Sequence, residues 1–238
     1  MKLGFRCLFS LLVFIVVLFA NSLEVNAMNT GFQTNQLPDE EKNTFVSNMN
    51  IVRLDEEPVK ETITCFDVNS DRFIAIGQSS FDKKTICVYS DDGVFQYGYT
   101  FDCSGDFGVE WDEANLNIYF VRSSVIISVT ASGEILDAVE VQNTIENNSY
   151  VNHFFHSTQR TIGDDEFLIR NDMGILNVFA TSYSQLVVKD STGVESIIYD
   201  VGSAQLFNMI VTIAIVFAFV SVAIVVLVLQ FIKSRKGN

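Results

Sequence analysis

Residues 85–101 read TICVYSDDGVFQYGYTF. Residues 85–89 and 94–101 are rich in β-branched and aromatic side chains, and Asp91-Asp92-Gly93 separates them. Two such runs joined by a short polar turn ending in glycine form an antiparallel hairpin, because glycine accepts the positive φ these turns require. The same phrase returns as VIISVTASGEILDAVEV at 125–141 and as QLVVKDSTGVESIIYDV at 185–201. Gly93 and Gly133 are 40 residues apart, and Gly133 and Gly193 are 60 apart. The added length falls in 142–150 and 171–184, which read as polar segments.

Each copy is flanked by strands of the same grammar. Residues 62–68 (TITCFDV) and 72–77 (RFIAIG) precede the first copy, and 107–111 (FGVEW) and 116–122 (LNIYFVR) the second. Residues 152–156 (NHFFH) and 166–170 (EFLIR) precede the third. Upstream, 45–54 (FVSNMNIVRL) reads as one further strand, and 28–44 as a mobile polar leader with no apolar period.

A period near 40 with four strands per unit is the spacing of β-propeller blades. Over 45–201 the chain resembles propeller repeat proteins of the NHL kind, whose repeats look like an apolar strand, D-x-x-G and a second apolar strand. Tyr89-Ser90-Asp91-Asp92-Gly93 fits that pattern best. The resemblance implies blades around an axis, yet propellers typically close with at least four blades and three are counted here. The expected fold class is therefore an all-β ectodomain, a propeller-like stack of about three four-stranded antiparallel sheets, open or closed, plus one C-terminal transmembrane α-helix. Another all-β sandwich or barrel is the alternative.

The two ends place this domain. Lys2 and Arg6 precede an apolar run of 14 residues at 7–20, and Val25-Asn26-Ala27 follows, the form of a cleaved signal peptide over 1–27. Residues 206–232, LFNMIVTIAIVFAFVSVAIVVLVLQFI, hold no charge and no proline. About 20 apolar residues cross a hydrocarbon core, so this stretch reads as a membrane-spanning helix after a linker at 202–205. Lys233, Arg235 and Lys236 lie in the terminal stub, 233–238, and mark it as cytosolic, with the β-domain outside a cell membrane. Ala214 and Ala218, followed by Ser221, form a small-residue face on which two such helices can pack.

Between Met28 and Gln205 there are 28 acidic and 10 basic residues, a net charge of −18. Such a field repels nucleic acid. Cys65, Cys87 and Cys103 are an odd set, so at least one is free or pairs between chains. Asp67, Asn69 and Asp71 spell D-x-N-x-D, the opening of a calcium loop. Arg72 stands at the sixth position and Gln78 at the twelfth, where that loop needs Gly and Glu, so a polar hairpin turn is the competing reading. His153 and His156, on a strand, face opposite sides and cannot share a metal; on a helical turn they could, but no third ligand is identifiable. Trp111 with Phe107, Tyr119 and Phe120 reads as core or as an aromatic patch, and Asn147-Asn148-Ser149 fits a glycosylation acceptor. No phosphate loop, nucleophile elbow or Cys-x-x-Cys pair is present. The expectation is a non-enzymatic, cofactor-free membrane protein that displays a binding module to an extracytoplasmic protein or carbohydrate. The alternative is an assembly subunit that forms homo-oligomers.

Overall fold

The computed structural model describes residues 28–80 and 83–236. The expected signal peptide at 1–27, and Gly237 and Asn238 of the stub, lie outside the described residues. The chain opens with β1 (Thr34–Gln36), helix α1 (Asp39–Met49) and β2 (Val52–Leu54). Two four-strand meanders follow, β3 (Ile63–Val68) to β6 (Phe95–Phe101) through β4 (Ile74–Ser79) and β5 (Lys84–Tyr89), then β7 (Phe107–Asp112) to β10 (Ile135–Val141) through β8 (Asn115–Phe120) and β9 (Val125–Val129). After helix α2 (Ile145–Tyr150) comes a third, β11 (Gln159–Ile162), β12 (Asp165–Arg170), β13 (Gln185–Lys189) and β14 (Glu195–Asp200). Helix α3 (Gly202–Lys236) ends the described chain.

These strands make three antiparallel sheets, in the orders β2-β6-β5-β4-β3, β1-β10-β9-β8-β7 and β11-β12-β13-β14, and none of them closes on itself. The first sheet lies between the other two. Successive side chains of a strand point to opposite faces. Ile86 and Val88 thus pack toward the second sheet with Val109, Ile118 and Ile127. Cys87 and Tyr89 pack toward the third with Phe167, Leu186 and Tyr199. Burial on both faces is why TICVY is nearly all apolar, and each large side chain so buried contributes roughly 1.5–3 kcal/mol. The far face of the second sheet, Tyr119, Ile126 and Val139, is covered by Phe32, Tyr150 and Phe155.

The three repeated hairpins are structurally equivalent. Gly93, Gly133 and Gly193 have φ of 81°, 88° and 84°. Their amides donate to Ser90, Thr130 and Asp190 carbonyls at 3.0, 2.8 and 2.9 Å. Each hairpin also carries a register shift beside the turn or within the ladder, a bulge that strengthens the twist.

Five expectations are corrected. Residues 28–44 are not a mobile leader: β1 pairs with β10, and Asn147 Oδ1 accepts from Gln33 N at 2.8 Å. Residues 45–49 belong to α1 rather than a strand, because Phe45, Val46 and Met49 pack on the core at helical spacing. β1 and β2 give two sheets a fifth strand in place of the expected four, β1 through β10 and β2 through β6. Residues 151–155 form a single π-helical turn that continues α2, so the third sheet begins at Gln159 and not at Asn152. Residues 202–205 are likewise the first turn of α3, not a separate linker.

A methyl group on Gly108 would sit 2.0 Å from Cδ1 of Phe155, whose ring packs against Phe32 and Tyr119 at 5.5 Å. Gly108→Ala should therefore cost about 1–3 kcal/mol through overpacking, seen as a lower midpoint in thermal unfolding. An unchanged midpoint would show that the aromatic cover is not fixed against the second sheet.

Candidate functional site

The first strands of the three meanders approach one another: β3 packs along β7, and β11 along β3. One side chain joins all three. Asp67, on β3 and 5% exposed, accepts from the Trp111 amide on β7 at 2.8 Å and from Arg160 Nε on β11 at 2.8 Å. Arg160 also donates to the Phe66 carbonyl at 3.2 Å and the Phe154 carbonyl at 2.9 Å. Its guanidinium carbon stands 4.2 Å from the Phe154 ring centroid and 5.1 Å from that of Phe66. A guanidinium can bond and stack in this way because its donors lie in the plane of the group, leaving the two faces for the rings. Burial pushes the Asp67 carboxyl above its ordinary range, against the pull of the Trp111 amide and Arg160.

A second buried acid lies beside the first. Glu110 accepts from Tyr150 Oη at 2.6 Å, Thr30 Oγ1 at 2.6 Å and Gly31 N at 3.0 Å. Burial, and then Glu110, raise the Tyr150 phenol. Glu110 therefore fastens the N-terminal segment and α2 to the second sheet, and its oxygens are committed to that role.

A cavity of about 290 Å³ has walls that include Cys65, Lys84, Asp106, Phe107, Phe155 and His156. Lys84 Nζ donates to Ser79 Oγ in its wall. Burial pushes the Cys65 thiol up to about 12, so it stays protonated at neutral pH. The cavity offers mixed polar and apolar surface to a small molecule.

The domain has two unlike ends. Turns 69–73, 90–94, 112–115, 130–134, 163–164 and 190–194 all lie at one of them, cross-linked by Arg72 to Asp91 and Asp165, by Asn69 to Glu113, and by Tyr99 to Thr130. These turns hold eight acidic residues and one base, Arg72. Hydrogen bonds from Thr192 and the Val194 amide hold the Asp190 carboxyl below its usual range, and Ser90 does the same for Asp92. The opposite end carries the 171–184 loop and the start of α3, where Gln205 Nε2 donates to the Ser182 carbonyl at 3.0 Å.

The residues singled out in the sequence fall as follows. Asp67, Asn69 and Asp71 do not form a common ligand set. Asp67 serves Arg160, Asn69 Oδ1 accepts from Phe73 N at 2.8 Å, and Asp71 is exposed in the turn. Among the described residues no group of three His, Cys, Asp or Glu could hold a metal. His153 Nδ1 lies 2.7 Å from the Ser149 carbonyl on the α2–π segment. Phe107 and Phe120 face the first sheet while Tyr119 faces the opposite side, so with Trp111 they do not line one patch. Asn147, the glycosylation acceptor by pattern, is buried and donates to the Gln33 and Gln142 carbonyls at 2.8 and 2.7 Å. Cys65, Cys87 and Cys103 are all free thiols. Ala214, Ala218 and Ser221 are exposed on α3, and Lys233, Arg235 and Lys236 close that helix. The roles of Arg160 and Glu110 were not foreseen. Glu110 had a signal, a charged residue inside the strand-like run FGVEW, whereas Arg160 stands in the polar stretch STQRTI and had none.

Arg160→Ala leaves Asp67 buried without its cation and should cost about 3–5 kcal/mol in denaturant unfolding, whereas the double variant Asp67→Leu/Arg160→Met should recover most of that loss. By peptide mapping of the native chain after alkylation at pH 8, Cys103 should be modified well before Cys65 and Cys87, whose thiols are raised to about 12 by burial. Equal rates for the three would mean that the cores open readily. No family model, curated protein or solved structure matches the chain.

Proposed function

We propose that this chain is a single-pass membrane protein that holds an acidic interaction module outside the cell and presents its turn end to a basic surface on another protein. The observation that carries this reading is the separation of the two ends. The span leaves from one, and six turns with eight acidic residues crowd the other. A field of one sign raises encounter rates with an oppositely charged partner and turns away nucleic acid. On this reading the segment 1–27 exports the domain, α3 stops transfer, and Lys233, Arg235 and Lys236 stay in the cytosol. The three sheets act as blades around the Asp67–Arg160 axis. α2 and its π turn fill the place between the second and third, in the manner of an incomplete propeller.

A second reading, an assembly subunit, is favoured by one specific feature. The first and second sheets each gain a fifth strand, but no described strand pairs with the outer edge of β14. An open edge of this kind accepts a strand from another chain.

The test uses the full chain in lipid nanodiscs with a lysine-rich peptide as probe. Neutralising the exposed acids together, as Asp71→Asn, Glu113→Gln and Asp164→Asn, should weaken binding roughly 3- to 10-fold at low ionic strength, and the difference should shrink in about 0.5 M salt. In intact cells, a cysteine placed at exposed Ser191 should react with a membrane-impermeant maleimide. No reaction there, with reaction after lysis, would put the domain on the other side of the membrane. A dimer or ring in light scattering of the nanodisc-free, detergent-held chain would move the balance to the assembly reading.

A further inference from the structure

The loop between β12 and β13 carries an apolar surface that the domain does not bury. Gly174–Phe179 is one 3₁₀ segment, GILNVF, with Ile175, Val178 and Phe179 exposed by 90%, 85% and 67%. An uncharged run extends on both sides of it, from Met173 to Ser184, inside a domain whose net charge is −18. Large apolar side chains scattered singly on a surface are ordinary, but three within five residues on one short element are not.

The segment is held in place rather than loose. Asn177 Oδ1 accepts from Met173 N at 2.9 Å, and Asn177 Nδ2 donates to the Asn171 carbonyl at 3.3 Å. Asn171 in turn donates to the Ser182 carbonyl at 3.0 Å and accepts from Ser184 N at 2.8 Å. Met173 is buried beneath the loop. The Ser182 carbonyl that closes this clamp also accepts from Gln205 Nε2 at 3.0 Å. Gln205 immediately precedes Leu206, the first residue of the uncharged run in α3. The base of the loop therefore sits at the level where the span becomes apolar. The 27 residues of 206–232 make a helix of about 40 Å at 1.5 Å per residue, some 10 Å more than a hydrocarbon core. The first turns of the run thus lie in the interfacial layer of the bilayer, beside this loop.

The geometry points to a second membrane contact: Ile175, Val178 and Phe179 insert into the interfacial layer of the same bilayer that α3 crosses. This inference rests on the reading of α3 as a membrane span. Helix and loop together would fix the height and tilt of the domain, which a single helix leaves free to swivel. The occupant is lipid rather than a partner chain, because the clamp delivers these side chains to the place where the bilayer begins. A zwitterionic surface suits it, since the acidic domain would be pushed from anionic headgroups.

The test introduces Phe179→Trp in the full chain, reconstituted in phosphatidylcholine vesicles with and without lipids brominated near the headgroup. Val194→Trp, in a turn at the opposite end, is the control, and Trp111 gives the shared background. Brominated lipid should quench the added emission of Phe179→Trp at least about twofold more than that of Val194→Trp, as expected of a tryptophan at the interface. Equal quenching in a chain that floats with the vesicles and resists alkaline extraction would overturn the loop contact and leave the span standing. A chain that alkali strips from the vesicles would sink the span, and the loop contact with it. Ile175→Ser/Val178→Ser should leave flotation unchanged while making α2 and the sheets rotate more freely, read as faster fluorescence depolarisation of a dye on Ser191→Cys. Unchanged depolarisation would count against the second contact.

Discussion

The carboxylate of Asp67 is the constraint on which the arrangement of the sheets depends. A carboxylate 5% exposed is costly to bury, and burial is tolerated where its oxygens are met by strong donors. Here the donors come from two other sheets, so the charge can be satisfied only if β3, β7 and β11 approach together. Hydrophobic burial alone would let the first sheet slide against its neighbours, since apolar faces are not directional. The amide of Trp111 and the guanidinium of Arg160 remove that freedom. They also explain why the two cores on either side of the first sheet, with Val88 in one and Tyr89 in the other, stay in register with each other.

A buried ion pair is a poor source of stability when compared with apolar packing. Its value here lies in position. Arg160 sits at the start of the third meander, just after the π turn, and its bonds to the Phe66 and Phe154 carbonyls hold that turn against the first sheet. Glu110 performs the corresponding task one strand away, gripping Thr30, Gly31 and Tyr150. The two acids thus bind the irregular parts of the chain, which have little periodic signal, to the regular parts, which have a strong one.

That division decides what can be read from the residues alone. The three hairpins were legible because their determinants are local: alternation on each arm, and a glycine at positive φ closing the turn. The arms read at 85–89 and 94–101 are strands Lys84–Tyr89 and Phe95–Phe101, each within one residue at either end. The apolar helix that covers 206–232 was legible for the same reason, as a run of composition. β1 was not, because a three-residue strand is defined by its partner β10 and by Asn147, more than 100 residues away. The π turn was misread because NHFFH has strand-like composition, while Tyr150, Phe154 and Phe155 in fact gather around Phe32 and Arg160. Asp67 was visible only as the first letter of a failed calcium motif. An acid at the sixth position of TITCFDV is better read as a demand for a buried cation, but Arg160, in the polar stretch STQRTI, gave no local sign that it would answer it. The apolar GILNVF passed unnoticed inside a segment whose ends are polar.

The two ends of the domain follow from the same meander logic. A four-strand antiparallel unit has two turns at one end and one at the other, so three units placed side by side in the same sense put six short turns together. The longer connections and the chain's exit then fall at the opposite end. Arg72, reaching Asp91 and Asp165, shows that the units do share that sense. Short turns favour Asp, Asn, Ser and Gly because these residues satisfy the turn backbone, as Asp190 does for Thr192 and Val194. An acidic crown is therefore partly a by-product of building tight turns. What turn chemistry does not require is the excess of acid over base: Asp71, Glu113 and Asp164 are exposed and take no part in the turn hydrogen bonds through their side chains. Turn geometry would be served as well by neutral residues at those positions, so the fold does not account for their charge, and it is this unexplained charge on which the proposed binding reading rests.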